Sequence, residues 1–312
     1  MDIFLKSISG ILVILGMILV GFFIGEKGWF DDKSRGLIAK LVTQIALPCY
    51  MLYTITQRFT AADLLKMLPA LRFPALSMVI LLGIATAVAR IFAVRQDRRG
   101  LFISMFFNSN TIFVGLPINQ ALFGDDSIPY VLIYYMCNTT FFWTLGTYLI
   151  QRDGEGEAQF DLKTSVKKVF SPPLMGFVLG LVMVMLQIKL PAFLASDLQY
   201  LGNLTTPLSM IFIGLSVSHV GVKQLVLGKD QLLILLGRFV VAPLLMATIV
   251  YWAPLPSLMK QVFIIQSAMP VMTNAPVVAR LYGADSDYAA VMVTETTLAT
   301  MVVIPILMVL MA

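Results

Sequence analysis

Residues 102–124 read FISMFFNSNTIFVGLPINQALFG, an apolar run of membrane-crossing length with Asn108, Asn110, Thr111, Gly115 and Pro117 at its centre. Residues 262–283 read VFIIQSAMPVMTNAPVVARLYG and place Gln266, Pro270, Asn274 and Pro276 at the same depth. Both stretches are predicted to be interrupted helices. Proline removes a backbone donor and crowds the preceding turn, while asparagine side chains can satisfy the freed groups. Irregular backbone at membrane depth is tolerated only where protein covers it or where it lines a cavity. Two such breaks that cross would bring half-helix N-termini together, offering partial positive charge and N–H groups to an anion. A carboxylate fits that field, with Asn110 and Asn274, and Asn108, Gln266 and Thr111 nearby, as side-chain donors. The alternative is that the amides bridge neighbouring helices and the prolines only kink them.

The rest of the chain has the same character. Its 312 residues are 59% hydrophobic and 12% charged, against roughly a quarter charged in a soluble domain. The charges cluster between apolar runs near 4–25, 36–56, 68–93, 100–123, 128–151, 170–188, 193–219, 231–252, 258–282 and 287–311. An all-α polytopic membrane protein of ten transmembrane helices follows, with the lipid bilayer as its surroundings. The first run lacks a basic leader with a small-residue cleavage pattern, so it is taken as the first helix. The formal charge of +5 reflects loop residues and forms no basic face, which speaks against a nucleic-acid partner.

One shift of 159 positions pairs Pro48 with Pro207, Gly21 with Gly180, Pro117 with Pro276 and Gly124 with Gly283. It also pairs Leu122 with Leu281 and Phe123 with Tyr282. Two five-helix repeats are therefore expected, at 1–151 and 170–312, joined by a cytoplasmic loop at 152–169. An odd number of spans per repeat inverts the second against the first, an organisation of many secondary transporters. Fifteen Lys and Arg residues then fall on one face and six on the other, with Arg238 inside a span. The positive-inside rule puts both termini on the non-cytoplasmic side.

Arg238 and Glu295 are ionisable groups at membrane depth, where the default expectation is function. Both lie near cytoplasmic helix starts, so an ion pair or a coupling role is open to them, as is bonding of Arg238 to backbone carbonyls. His219 reads as interfacial. Cys49 and Cys137 lie in apolar segments without metal-ligand spacing, so neither a metal site nor a disulfide framework is indicated. No phosphate-binding loop, zinc motif or nucleophile elbow is present. An enzyme is disfavoured, and a non-transporting receptor for a small anion is the rival to a carrier.

Several stretches in order resemble the auxin efflux carrier family, which includes plant auxin exporters and bacterial malonate-transporter-like carriers. They are GEKGWFDDKSRGLIAKLVTQIALP (25–48), SNTIFVGLPINQALFG (109–124), GNLTTPLSMIFIGLS (202–216), RFVVAP (238–243) and QSAMPVMTNAPVVARLYG (266–283). The resemblance implies scaffold and transport domains each drawn from both repeats, crossed helices 4 and 9, and elevator-like exchange. It gives Asn110 the role of holding a substrate carboxylate and places Pro270 at the second crossing, with Gln266 and Asn274 facing the same cavity. The chain departs from the plant pattern at Ser109, where that pattern has proline. The implied function is secondary transport of a small organic anion, such as malonate, across a bacterial inner membrane. No cofactor is expected. Proton coupling, sodium coupling, uniport and homodimer formation all stay open.

Overall fold

The structure is a computed structural model that describes residues 2–154, 169–220 and 228–311, and their side chains apart from those of residues 2–11, 32 and 220. The expected loop at 152–169 falls mostly outside the described residues. Among the described residues the chain is helical throughout, without a strand. In chain order the helices are α1 (Asp2–Glu26), α2 (Asp32–Leu41), α3 (Leu47–Arg58), α4 (Ala61–Met67), α5 (Arg72–Ile91), α6 (Arg99–Phe107), α7 (Gly115–Phe123), α8 (Ile128–Phe141) and α9 (Thr147–Gln151). They continue as α10 (Pro172–Met185), α11 (Ala192–Asn203), α12 (Thr205–Val220), α13 (Lys229–Leu236), α14 (Ala242–Tyr251), α15 (Ser257–Ser267), α16 (Ala275–Leu281) and α17 (Ser286–Met311). Among the described residues, five continuous helical stretches have the length and composition to cross a membrane: Lys33–Arg58, Ala61–Ile91, Ala192–His219, Lys229–Tyr251 and Ser286–Met311. Leu12–Glu26 and Pro172–Met185 are shorter apolar helices.

Two of these stretches, and the run from α8 into α9, pass through a widened π-turn: Val42–Ala46, Gly237–Val241 and, between α8 and α9, Phe142–Gly146; in chain order Phe142–Gly146 is the second of the three. The first and third have a local cause. Pro48 and Pro243 would drive their rings into the carbonyls four residues back, at Gln44 and Phe239. The turn opens instead, so that Leu47 N–H reaches Val42 O and Ala242 N–H reaches Gly237 O, five residues back.

The chain divides into two compact units, each drawing on both halves of the sequence. One comprises Val13–Pro69 and Lys167–His219. Its helices meet through glycines, as helices in lipid do when close backbone approach replaces the hydrophobic effect. Gly176 and Gly180, one turn apart on α10, lie on Pro48 and Ile55 of α3, and Gly202 of α11 lies on Tyr50. Gly21 of α1 and Gly214 of α12 bring those two backbones together.

The other unit comprises Ala70–Val166 and Val220–Ala312 with Met1–Leu12. Its core gathers Phe102, Phe106 and Phe107 of α6, Phe142, Leu81 and Ala85 of α5, and Met292 of α17. Asp153 closes the start of α6, its carboxylate accepting the Gly100 and Leu101 N–H groups at 2.9 and 2.6 Å. Those N–H groups have no partner within their own helix. Burial pushes the Asp153 carboxyl above its ordinary range, against the pull of these two bonds. Arg98, just before α6, pairs with Asp230 of α13 at 2.6 Å and lies over the Tyr288 ring of α17.

Candidate functional site

The helix that begins at Arg99 stops at Phe107 and resumes at Gly115; the one that begins at Ser257 stops at Ser267 and resumes at Ala275. At 1.5 Å per residue each half is only about 10 to 17 Å long, well short of a hydrocarbon core of about 30 Å. Pro117 and Pro276 sit in the first turns of the second halves, where a missing N–H costs little. The two breaks touch. Ser109 and Val271 form an antiparallel bridge, and Asn110 N–H donates to Pro270 O at 2.8 Å.

Broken helices leave carbonyls at their C-terminal ends without intrahelical partners. Arg238, fully enclosed in the third π-turn, supplies donors for both. Its Nη1 donates to Phe106 O at 3.2 Å, and its Nε and Nη2 donate to Met269 O at 3.0 and 2.9 Å. Nη2 also donates to Ser267 O. A guanidinium also complements the negative ends of α6 and α15. The ion pair with Glu295 left open above is not formed. The fork-shaped donor meets carbonyls that the breaks expose, while both Glu295 carboxyl oxygens are buried and have no hydrogen-bond partner among the described residues.

The first break is tied to the amides around it. Asn110 Oδ1 accepts Phe113 N–H at 3.2 Å, and Asn110 O accepts Gly115 N–H at 3.0 Å, so Asn110 forms the entry to α7. Its Nδ2 is buried without a hydrogen-bond partner among the described residues. Gln266 Nε2 donates to Thr111 O at 3.1 Å, and Gln266 Oε1, beside Gly115, has no hydrogen-bond partner among the described residues. Asn110, Thr111, Gly115, Gln266 and Pro270 are thus brought together. Asn108 lies apart from that group: its Nδ2 donates to Ser104 O at 3.2 Å and faces Gly146 in the second π-turn. Asn274 stands at the start of α16 and is partly exposed.

Three residues outside the sequence-derived set hold this arrangement. Asn138 of α8 pairs with both backbone groups of Ser109, and Thr296 Oγ1 of α17 accepts Val271 N–H at 3.0 Å. Gly237 allows the π-turn that bears Arg238 to close on the Phe106 ring, which a Cβ there would meet at 2.3 Å. An asparagine in the apolar run 128–151 and a threonine in the run 287–311 were the available signals, and neither carries local information about its partner.

Gly115 offers a direct test of how Gln266 is placed. A Cβ at this position would lie 2.2 Å from Gln266 Oε1, so Gly115→Ala has to displace the amide from Thr111 O. The expected loss is about 1 kcal/mol, one buried hydrogen bond. Thermal midpoints of the single and double variants with Gln266→Ala check it. The two losses should not add, and full additivity would show that Gly115 acts elsewhere.

Residues 7–308 match the family model described as membrane transport protein. An uncharacterised transporter of Methanocaldococcus jannaschii is 27% identical over 299 residues, covering 94% of this chain and 95% of its own. An uncharacterised transporter of Methanothermobacter thermautotrophicus is 26% identical, covering 97% of this chain and 98% of its own. With a match running almost end to end over a multi-pass helical protein, the chain belongs to the membrane transport protein family, that of the auxin efflux carriers its motifs resemble.

Proposed function

We propose that the chain is a secondary transporter of a small organic anion, with its carboxylate received by Asn110 at the crossing. One observation carries this: the Asn110 Nδ2 donor is enclosed at the meeting point of two broken helices and has no hydrogen-bond partner among the described residues. A buried donor left unpaired costs about 1–3 kcal/mol, so a ligand that supplies the acceptor recovers it. The positive end of α7 begins five residues on, and Arg238 neutralises the negative ends of α6 and α15. The field at the crossing then favours an anion without a direct countercharge, which permits release as well as binding. Gln266 Oε1 is an acceptor, so a second group able to donate, such as a carboxylic acid or hydroxyl, completes the set. A singly ionised dicarboxylic acid such as malonate has both.

In the same proposal ten spans form two inverted five-helix repeats, with both termini outside a bacterial inner membrane. Gly124 and Gly283, paired by the 159-residue shift, support it by taking matching positive φ angles after α7 and α16, at 73° and 74°. The unit that holds the crossing serves as the transport domain in an elevator-like alternation, and the unit built on α1, α3, α10 and α12 as the scaffold. In this reading Glu295, whose two carboxyl oxygens are buried without a partner among the described residues, is the candidate for coupling a proton.

Uptake into proteoliposomes from a panel of organic anions tests the assignment. Asn110→Ala should raise the half-saturating concentration about tenfold or more, the equivalent of one charge-assisted hydrogen bond. Unchanged affinity removes Asn110 from the site, and binding without flux makes the protein a receptor. Imposed proton and sodium gradients separate the coupling alternatives. Glu295→Gln should keep exchange of anion across the bilayer while losing proton-driven accumulation, and retained accumulation ends the coupling role.

A further inference from the structure

The first break turns on Ser109. α6 ends at Phe107, Asn108 is extended at φ −94°, ψ 138°, and Ser109 is fully enclosed. A continuing helix would have bonded the Ser109 N–H and C=O to residues 105 and 113. With the helix stopped, both need partners, and buried backbone groups almost always have them. One side chain serves both, and it is the sole partner of the N–H among the described residues, whereas the carbonyl also accepts the Thr111 N–H at 3.0 Å. Asn138 Oδ1 accepts the Ser109 N–H at 2.9 Å, and Asn138 Nδ2 donates to Ser109 O at 2.7 Å. Asn138 is itself fully enclosed, so no solvent substitutes for the pairing. An amide side chain accepts at one atom and donates from the other; an ionised aspartate accepts alone, and leucine does neither.

We propose that Asn138 is the positioning residue of the first crossing: its amide stands in for backbone pairing at Ser109 and fixes the register in which Asn110 meets Pro270. The consequence for the site is direct. Asn110 follows Ser109, and its N–H, its carbonyl and its side-chain oxygen are all committed within the break. Holding Ser109 therefore determines where the remaining Nδ2 donor stands. This rests on the anion-site proposal for its functional meaning, but its structural content does not depend on any anion.

The distinguishing test uses proline. Ser109→Pro removes the N–H that Asn138 serves, and Asn108 already has the extended conformation that a residue before proline adopts. Four proteins are compared in lipid nanodiscs by amide hydrogen exchange: wild type, Asn138→Ala, Ser109→Pro, and the double variant. Asn138→Ala should speed exchange over residues 110–116 by about tenfold or more, the effect of losing one buried pairing on local opening. Adding Ser109→Pro should return that segment to within about threefold of wild type, because proline has no N–H to satisfy and the carbonyl at 109 keeps the Thr111 N–H, while α3 and α10 exchange alike in all four. Asn138→Ser, closer in size and still able to accept from the N–H, replaces the alanine variant if the latter does not fold. Unchanged exchange over 110–116, absence of rescue by proline, or loosening shared by α3 and α10 would each overturn the proposal. No anion is present in this measurement, so its failure is separate from failure of the transport assignment. In the uptake assay, Asn138→Ala should raise the half-saturating anion concentration and the double variant should lower it again.

Discussion

Arg238→Met is expected to lower the thermal midpoint of the purified protein more than any other single substitution at the crossing. The guanidinium is fully enclosed and serves Phe106 O, Ser267 O and Met269 O, carbonyls from both broken helices. Hydrogen bonds from a charged donor contribute about 1.5–3 kcal/mol each, and an orphaned buried acceptor costs about 1–3 kcal/mol. Methionine fills much of the volume and removes the desolvation cost of the charge, which offsets part of this loss. The net loss is on the order of 3 kcal/mol or more. Arg238→Lys should fall between, because an ammonium keeps the charge but lacks the planar fork that spans two helix ends. Arg280→Met, at an exposed position on α16, should stay within about 0.5 kcal/mol of wild type. Fluorescence-detected size exclusion after heating ranks the three. An Arg238→Met midpoint equal to that of Arg280→Met would mean the carbonyls find other partners.

The second large effect is expected in the other unit, at Gly214. A Cβ there would lie 2.1 Å from Ile18 O and 2.5 Å from Phe22 N. Gly21, facing it, would put a Cβ 2.3 Å from Ile211 O. Each of these obstacles is backbone, which cannot rotate out of the way, so α1 and α12 must separate along the contact. Gly214→Ala should cost about 2–3 kcal/mol through overpacking and lost interhelical contact, and Gly214→Leu should prevent recovery of folded protein. Gly16 of α1 and Gly83 of α5 have open space where a Cβ would go. Alanine there should be neutral or stabilising by up to about 1 kcal/mol, from helix propensity alone. Equal midpoints for Gly214→Ala and Gly16→Ala would refute close packing of α1 on α12.

The two effects differ in kind. At Gly214 the interaction is steric, and any side chain disturbs it. At Arg238 it is polar, and only loss of the donors matters. The contrast follows from what each unit contains: one packs helices through small residues, and the other encloses irregular backbone whose polar groups must be satisfied inside protein.

Legibility in the sequence followed the range of the physics. Helicity and membrane residence could be read from runs such as 287–311, because segment length and apolarity are local properties. The positions of the breaks were equally local, since Asn108–Pro117 and Gln266–Pro276 hold the residues that end one helix and begin another. The π-turns before Leu47 and Ala242 have a local cause in the prolines that follow, whereas Phe142–Gly146 has no such marker. What the sequence could not supply was the set of partners. Asn138 reaches Ser109 across 29 residues, Arg238 reaches Phe106 across 132, and Gln266 reaches Thr111 across 155. No periodicity encodes such pairings, so an ion pair between Arg238 and Glu295 was as readable as the carbonyl clamp that exists. Apolar run length and helix-breaking chemistry thus determined, from sequence alone, a helical membrane protein with two broken spans. Tertiary structure alone decided which side chains satisfy the backbone at those breaks, because a buried polar group takes the partner that folding places within about 3 Å of it.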